Sequence, residues 1–576
     1  MSLITTALTT VGIALNLAGL GALAQRALGA ADNRDFEGCF FALTTGWAIV
    51  SLMAAICALF GWNIKFLLAF VVVGGISGLV TSVGWQPLLR LGIAWVVVAP
   101  LLIVALRSQP ALFDEFAHWL PNTRFLIERD GFPTKYDPNI WSDQSGYPPA
   151  APLIAYFVNL VTRQGFELTF KLFTVLVAGS FGLILARLLA LALGPSVAIL
   201  VGVSLATVLN PFFDPRIALT SYTDTPTAFL LAACVFSCWR SVYSPDPKWL
   251  LRVGTIGVVL VLLRETNIVL LGGLCIGLFL LGRSARVTSS VLCACSAGAF
   301  AIWRCYLWLA EIRASVVPRS ITQWDWLAPV TLFRALIVDR LPNHLALGSA
   351  AIIVFMVIVL YAIFANHAGK IELRPLYILA TSVVVTWLLF LCLTYVAVMG
   401  ARDISLAISI WRYLTEIGPT IILTGIASVS YSFRKMPAIP IRVVAACVGA
   451  LAPTVSVVFF WYHWHVGCQF PDVQFVRAAA REIAHVGEEQ VPLVVLHPTE
   501  SYGPLIDYAL KRPLGQTLQA LNIAAAPKDA LVLDLNGVSR ELLLKGQSPR
   551  LSVKRFNGNV WAAERDLSIA PTSDCH

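Results

Sequence analysis

Long apolar runs separated by short polar segments recur along most of the chain. Each run is long enough for a helix to cross the ~30 Å hydrocarbon core of a bilayer, or nearly so. The first run has no basic segment before it and further runs follow, so we expect it to be a retained helix rather than a signal peptide. The pattern predicts about fourteen spans, over 3–24, 38–60, 65–84, 90–106, 168–190, 196–210, 225–242, 249–263, 267–282, 288–309, 343–365, 375–398, 411–433 and 441–460.

Three polar regions interrupt this pattern. The loop 107–167 contains a short apolar stretch, 149–162, which follows Pro148-Pro149 and is interpreted as a helix in the membrane interface. The loop 311–342 mixes charges with Trp and Leu, as in an interfacial amphipathic segment. After Trp461 the hydropathy falls, and short strand-like and helix-like segments alternate.

The pattern therefore predicts an all-α polytopic membrane protein with a small α/β domain outside the membrane. The predicted units are the N-terminal helices 1–106, the outer loop 107–167, the membrane core 168–460 and the α/β domain 466–576.

Composition agrees with a membrane protein and gives no sign of nucleic-acid binding. Of 576 residues, 58% are hydrophobic and 13% are charged, against roughly 25% charged in soluble domains. The net charge is +9, but the last 111 residues are nearly neutral, with 11 Lys and Arg against 12 Asp and Glu. The basic excess lies in the loops between spans, where membrane orientation explains it.

The loop charges orient the chain. If the N-terminus is outside, the inner loops carry fourteen basic residues against five acidic ones, and every inner loop has at least one Arg or Lys. The basic residues are Arg26, Arg34, Arg90, Arg187, Arg240, Lys248, Arg252, Arg283, Arg286, Lys370, Arg374, Arg434, Lys435 and Arg442. This orientation places the 107–167 loop and the C-terminal domain outside. We expect a multi-pass protein of the cell inner membrane.

Cysteines give little guidance to chemistry. Ten of the 12 lie in or beside apolar runs, where Cys behaves as a small apolar residue. Cys468 and Cys575 are the two in the tail, and the sequence leaves open whether they form a disulfide. His463 and His465 could suggest a metal pair, but an aromatic belt at the bilayer surface is the favoured interpretation.

Polar clusters recur at the predicted outer face, where ionisable side chains at membrane depth are a default indication of function. They contain the candidate site residues Asp114, Glu115, His118, Tyr222, Asp224, Arg264, Glu265, Arg304, Arg412 and Tyr413. Such a set suits sugar transfer from a lipid-linked phosphate donor. A carboxylate can take the proton of an acceptor hydroxyl, and guanidinium groups can hold the donor phosphate and stabilise its growing charge.

The order of these motifs resembles the GT-C glycosyltransferase superfamily, in particular its protein O-mannosyltransferase and lipid A aminoarabinose transferase branch. The resemblance covers roughly residues 100–430 and runs from the Asp114-Glu115 pair through Tyr147-Pro148-Pro149, Arg187, Tyr222 with Asp224, and Arg264 to Arg412-Tyr413. It implies that Asp114 is the catalytic carboxylate and Asp224 a second active-site carboxylate. It also implies that Arg264 and Arg412 lie near the donor phosphate, and Arg304 is the third candidate for donor-phosphate binding.

The chain departs from that branch in three places. The family usually places its Asp-Glu after the first span, whereas further spans precede it here. The aminoarabinose transferases carry a Lys just before the loop-ending Pro, where this chain has Gly146-Tyr147-Pro148. The late Arg-Tyr motif is usually followed by Pro three residues on, but here Glu416 follows and Pro419 comes later. A divalent metal is possible, because some GT-C enzymes use one, but no metal ligands are assigned.

Structural interpretations remain open for the same residues. Asp114-Glu115 and Asp224 could cap helices. Arg264 and Glu265 could pair with each other, and Arg304 and Arg412 could anchor to lipid headgroups. Glu115, His118, Tyr222, Glu265 and Tyr413 are assigned supporting roles only.

The favoured function is a membrane glycosyltransferase with a polyprenyl-phosphate sugar donor and a cell-envelope glycan, lipid or protein acceptor. Membrane lipids are the other expected partners. The alternative is a polytopic transporter or lipid flippase, which would scatter charges near the bilayer midplane and often shows repeated halves. The chain shows no repeat and gathers its charges at one face.

Overall fold

The fold was obtained as a computed structural model. It describes residues 3–30, 36–110, 112–208, 219–244, 246–313, 318–334, 371–399, 410–433, 493–496, 503–510, 517–520, 531–534, 551–556 and 561–567, together with residues 404, 476, 479 and 480.

Long helices account for most of the described residues before 434. The first eight are α1 (Leu3–Ala27), α2 (Gly38–Phe60), α3 (Phe66–Thr81), α4 (Trp85–Arg107), α5 (Leu120–Arg129), α6 (Ala150–Thr162), α7 (Phe166–Leu193) and α8 (Pro195–Val208). The next eight are α9 (Asp224–Tyr243), α10 (Pro247–Leu263), α11 (Asn267–Leu280), α12 (Arg286–Leu309), α13 (Ala328–Arg334), α14 (Arg374–Ala397), α15 (Ile410–Thr415) and α16 (Gly418–Phe433). A π-helical turn, Glu115–Trp119, leads directly into α5.

Within the described residues, seven helices are long and apolar enough to cross a membrane. They are α1, α2, α4, α7, α9, α12 with the turn before it, and α14. The prediction of a largely helical membrane protein is therefore confirmed for this part of the chain. The predicted count of about fourteen is not established, because several predicted spans are shorter helices and 343–365 and 441–460 lie outside the described residues.

Close backbone contacts hold several helices together. A Cβ added at Gly78 of α3 would lie 1.8 Å from the Gly19 carbonyl oxygen of α1. A Cβ at Gly182 of α7 would lie 2.4 Å from the Val203 Cα of α8. Small residues allow such approach, and between membrane helices dispersion contacts replace the hydrophobic drive that water provides. These helices therefore form one packed core with α7 largely buried within it.

Two predicted elements differ from expectation in detail. The segment expected in the membrane interface forms α6, and its residues from Ala150 to Val158 are buried by protein rather than left on a surface. The predicted span 411–433 is interrupted after Thr415, so that Glu416 and Ile417 lie in a turn between α15 and α16. Gly418 and Pro419 follow this turn, and both residues favour a helix start over a continuous helix there.

The described residues after 475 include a five-stranded sheet. Its strands are β1 (Leu493–Leu496), β2 (Thr517–Ala520), β3 (Leu531–Asp534), β4 (Leu551–Phe556) and β5 (Trp561–Leu567), in the order β2-β1-β3-β4-β5. β1 pairs in parallel with β2 and β3, whereas β3, β4 and β5 pair antiparallel. Helix α17 (Gly503–Ala509) follows β1, and Cys468 and Cys575 lie outside the described residues.

Candidate active site

Five ionisable side chains from distant parts of the chain meet at one end of the helix bundle. Asp114 follows α4 and directly precedes the π-helical turn. Asp224 is the first residue of α9, and Arg264 comes immediately after α10. Arg412 lies in α15 and Glu416 in the turn that follows it. Each of these five residues lies near the end of a helix. The helix bundle therefore brings them together at one end rather than halfway along its length.

The two guanidinium groups bridge three carboxylates. Arg412 contacts Asp114 through Nη1 and Oδ2, and its Nε lies 3.4 Å from Asp224 Oδ1. Arg264 Nη1 lies 3.3 Å from the same Asp224 oxygen and 3.0 Å from Glu416 Oε1. Asp224 therefore links the two arginines, and the five ionisable groups form one continuous chain. A buried ion pair is tolerated only when such contacts replace the lost hydration.

Exposure differs within this ionic cluster. The side chains of Glu416 and Asp224 are 0% and 2% exposed, whereas that of Asp114 is 23% exposed. Glu416 Oε2 has no hydrogen-bond partner among the described residues. Asp114 is therefore the carboxylate most accessible to another molecule, and Asp224 and Glu416 form the buried side of the cluster.

The charges around Asp114 control its protonation. Burial alone would raise the pKa of this carboxyl, but the charges of Arg412, His118 and Arg264 and the Arg412 hydrogen bond more than offset it. The net result is a pKa below the usual value of 3.8. The Asp114 side chain is consequently ionised at neutral pH and can accept a hydrogen bond or a proton.

Aromatic rings pack against both guanidinium groups. The Arg412 guanidinium carbon lies 5.0 Å from the ring centre of Tyr222 and 4.8 Å from that of Tyr413. The Arg264 guanidinium carbon lies 5.1 Å from the same Tyr413 ring. The Tyr222 hydroxyl also accepts a hydrogen bond from the Asp114 backbone N–H at 3.3 Å. These tyrosines fix the orientation of the arginines through cation–π contacts.

His118 lies between two carboxylates. Its Nδ1 is 3.2 Å from Asp143 Oδ1, and its Nε2 is 4.0 Å from Asp114 Oδ2. The π-helical turn brings residue 118 back beside residue 114. Trp119 stacks on Tyr147 with ring centres 4.6 Å apart and planes 4° apart, and covers this part of the site.

Glu115 has a different environment from its neighbour. Its side chain is buried and accepts hydrogen bonds from the backbone N–H groups of Leu112, at 3.1 Å, and Ser221, at 2.9 Å. One carboxylate thus ties the segment before Asp114 to the segment before Asp224. Glu115 therefore fixes the spacing between the segments of Asp114 and Asp224, a role that the sequence indicates only as general support.

Glu265 and Arg304 form a separate pair beside the ionic cluster. Arg304 Nη1 lies 3.3 Å from Glu265 Oε2, and the Arg304 side chain is 43% exposed. Adjacent Arg264 pairs instead with Asp224 and Glu416. The structure therefore does not pair Arg264 with Glu265, and it places Arg304 against Glu265 rather than against the carboxylates of the cluster.

Two residues of the site were missed by sequence reasoning. Glu416 was noted only as a departure from a family pattern, although its position four residues after Arg412 could have indicated a shared helical face. Asp143 lies in a polar loop with several similar residues, and nothing local distinguishes it. Among the described residues, no group of three or more His, Cys, Asp and Glu side chains is arranged to hold a metal ion.

The C-terminal part of the chain contacts the segment that carries this site. The Tyr508 hydroxyl donates to Glu167 Oε1 at 2.8 Å, and its backbone carbonyl accepts from Arg124 Nη1 at 2.8 Å. The Arg124 guanidinium carbon lies 4.0 Å from the Tyr508 ring centre, and the Phe116 ring centre lies 5.5 Å away. Phe116 belongs to the π-helical turn, so α17 packs directly on that turn.

Comparison with known proteins gives limited information. No protein-family model matches the chain, and no curated protein matches it. The crystal structure of ArnT from Cupriavidus metallidurans bound to undecaprenyl phosphate is similar at 13% sequence identity and a TM-score of 0.48. The similarity covers 85% of this chain and 98% of that chain. Values this low show neither a common family nor a common function.

Proposed function

We propose that this protein is a membrane glycosyltransferase that moves a sugar from a polyprenyl-phosphate donor to a cell-envelope glycan, lipid or protein. The transfer takes place at the outer face of the inner membrane. The observation that carries this proposal is the bridging of Asp114 and Asp224 by Arg412 at the ends of membrane helices. This arrangement combines the ionised, partly exposed Asp114 carboxylate with the guanidinium groups of Arg264 and Arg412, and we expect all three to lie near the bilayer surface.

The reaction follows from the charges. Asp114 takes the proton of the acceptor hydroxyl, whose oxygen forms a bond to the anomeric carbon of the sugar. The bond between that carbon and the phosphate oxygen breaks, and its electron pair leaves with the polyprenyl phosphate. Arg264 and Arg412 stabilise the charge that grows on this leaving group, since a preorganised guanidinium needs little reorganisation. Asp224 and Glu416 hold both arginines in place.

The remaining site residues have supporting roles in this proposal. His118, which Asp143 contacts, orients Asp114, while Tyr222 and Tyr413 orient the arginines. We assign Arg304, which pairs with Glu265, to contact with the donor phosphate at the edge of the site. Glu115 sets the spacing between the two catalytic segments.

The distribution of charge favours an enzyme over a transporter. Helix α9 has no charged residue between Asp224 and Arg240, and α10 has none between Arg252 and Arg264. A translocation path would need polar groups along such helices near the midplane. The described charges of α9 and α10 instead lie within the first two turns, in the last turn or directly after the helix.

The test is a transfer assay with the purified full chain. Polyprenyl-phosphate pentoses and hexoses serve as donors, and the substrate pair is first narrowed by mass spectrometry of envelope glycans and lipid A from a strain lacking the protein. Asp114→Asn should lower the transfer rate by about 10³-fold or more, as expected for loss of an acting general base with its charge. Asp137→Asn is the matched control, because Asp137 pairs with Arg129 at 3.0 Å in the same outer loop and is half exposed. Full activity of Asp114→Asn would overturn the assignment.

A further inference from the structure

Tyr147 is a residue of the candidate site to which the proposed reaction gives no role. It lies in the outer loop, directly before the two prolines that precede α6. Its ring stacks on Trp119 and contacts the ring of His118, with ring centres 5.0 Å apart and planes at 66°. It also packs against the buried pair of Trp119 and Tyr222. The Tyr222 hydroxyl in turn accepts the Asp114 N–H, so Tyr147 lies one ring away from the segment of the proposed base.

Two tryptophans fix the backbone on either side of Tyr147. Trp303 of α12 donates through Nε1 to the Gly146 carbonyl at 2.9 Å. Trp47 of α2 donates through Nε1 to the Ala150 carbonyl at 3.0 Å. Contacts from α2, from α12 and from the π-helical turn therefore hold the ring in place. A side chain held this firmly has little conformational freedom left to lose when a ligand binds.

The Tyr147 hydroxyl, in contrast to its ring, has no bond to the protein. Within the part of the chain that the structure describes, this hydroxyl has no hydrogen-bond partner, whereas that of Tyr306 donates to the Pro133 carbonyl at 2.7 Å. The Tyr147 side chain is half-buried, and a phenol hydroxyl in an enclosed place usually has a partner. Ligand sites commonly combine an apolar wall with a few fixed polar groups of this kind.

The charges of the ionic cluster act on the Tyr147 hydroxyl. Burial is the main cause that raises the pKa of Tyr147 above its usual value of 10.0. Arg264 opposes this rise, Asp114 adds to it, and Arg412 has a smaller opposing effect. The hydroxyl therefore stays protonated at neutral pH. It also lies within electrostatic range of the proposed base and of both arginines that are proposed to bind the phosphate.

The proposed reaction places the transferred sugar between these groups. The acceptor hydroxyl lies at Asp114 and the donor phosphate at Arg264 and Arg412, so the anomeric carbon lies between them. A hydroxyl in range of both sides lies near this carbon and its first substituents. Charged groups already meet the phosphate, whereas a neutral hydroxyl matches a sugar hydroxyl. The nearest one is the 2-hydroxyl, and hydrogen bonds to it strengthen as the glycosyl transition state forms.

We propose that Tyr147 determines donor specificity by forming a hydrogen bond with the 2-hydroxyl of the transferred sugar. This inference rests on the proposed function and narrows its donor class. The donor sugar carries a free hydroxyl at C2. A bulky 2-acetamido group at the same carbon would meet the fixed ring of Tyr147 and is excluded.

A comparison of two donors tests the proposal with the purified full chain. The probes are the polyprenyl-phosphate sugar that the wild type accepts in the transfer assay and its 2-deoxy analogue. Because the two donors differ in intrinsic reactivity, each variant is compared with the wild type on the same donor. Tyr147→Phe should lower kcat/KM about tenfold with the 2-hydroxy donor, as expected for loss of one neutral hydrogen bond. It should leave kcat/KM with the 2-deoxy donor near the wild-type value.

Two other tyrosines provide controls. Tyr136→Phe changes a residue of the same outer loop that is 87% exposed, and it should leave kcat/KM unchanged with both donors. Tyr222→Phe removes the hydroxyl that binds the Asp114 N–H, and it should lower kcat/KM equally with both donors. Tyr147→Phe keeps the ring stacked on Trp119, so its melting temperature should match that of the wild type.

The possible outcomes separate this assignment from the function on which it rests. An equal loss with both donors in Tyr147→Phe would show that the hydroxyl binds the phosphate or only supports the site, and would overturn the assignment. Full activity of Tyr147→Phe, or an accepted donor without a free 2-hydroxyl, would overturn it as well. Absence of transfer by the wild type with every polyprenyl-phosphate sugar would instead refute the proposed function, and the assignment with it.

Discussion

Arg264 Nη1 lies 3.0 Å from Glu416 Oε1, joining residues that are 152 positions apart in the sequence. This contact fastens the end of α10 to the turn between α15 and α16. The same Nη1 lies 3.3 Å from Asp224, so a single guanidinium compensates two carboxylates that are almost completely buried.

Removal of Arg264 should destabilise the protein strongly. Arg264→Met leaves Glu416 without its cation, and breaking a buried pair in this way costs about 3–5 kcal/mol. The double variant Arg264→Met with Glu416→Leu should recover much of that loss, because Asp224 retains Arg412 and no unpaired charge remains beside α16. Thermal unfolding in detergent measures both. A double variant no more stable than the single one would contradict the role given to Glu416.

The pH dependence of transfer should report the environment of Asp114. Its folded-state pKa is lowered, so it is ionised at neutral pH and becomes protonated only below its usual value of 3.8. The activity due to this group is therefore present above that value and is lost as pH falls through the lowered pKa. Its contribution to stability follows the same direction.

Arg412→Gln provides the comparison for this pH profile. It removes the positive charge that contributes most to lowering the Asp114 pKa, so the acid limb of kcat/KM should move to higher pH. The rate of Arg412→Gln also falls at every pH, so the measurement that tests this prediction is the pH of the acid limb and not the rate itself. An unmoved limb in Arg412→Gln would show that another group controls it.

Glu115 should matter for the arrangement of the site rather than for the chemistry. Glu115→Gln replaces one acceptor oxygen with a donor group, so the N–H of either Leu112 or Ser221 loses its partner. We expect about 1–3 kcal/mol of destabilisation and a reduced kcat with an unmoved acid limb. Glu128→Gln is the control, since Glu128 is an exposed residue of α5 and its change should stay within about 0.5 kcal/mol. A shifted acid limb in Glu115→Gln would instead show that Glu115 takes part in proton transfer.

Tyr508 should couple the C-terminal part of the chain to the site. Tyr508→Phe keeps the ring against Phe116 and Arg124 but loses the hydrogen bond to Glu167, and should cost about 0.5–1.5 kcal/mol. Tyr508→Ala also removes the ring and should lower the transfer rate further. A double-mutant cycle with Glu167→Ala, which removes the acceptor, isolates the hydrogen bond when it is read by thermal unfolding. Strict additivity in that cycle would show that this bond contributes no coupling.

The sequence is a good guide to the helices and to part of the site. Uniform apolar runs predict helix positions well. Because successive helices cross the membrane in opposite directions, every second loop lies on the same side, and these loops lie close together. Asp114, Asp224, Arg264 and Arg412 could therefore be expected to meet, and in the structure their charged groups form one connected cluster. Their roles in transfer remain predictions.

The remainder of the site depends on packing that has no local pattern. Glu416 enters the cluster because α15 and α16 are separated by a turn, which hydropathy alone reads as one continuous span. The sequence pattern groups Arg304 with the residues of the cluster, but in the structure its side chain pairs with Glu265. Asp143 acquires its partner only when the loop folds back on the π-helical turn.

The π-helical turn makes the site sensitive to chain length as well as to residue identity. Leu120 N–H bonds to the Glu115 carbonyl across five residues, one more than in an α-helix. Deleting Ala117 would allow an ordinary α-helix to form continuously into α5. Every side chain before the deletion would then turn by about 100° around the helix axis. Asp114 would rotate away from Arg412, although the chain would still contain every residue of the site.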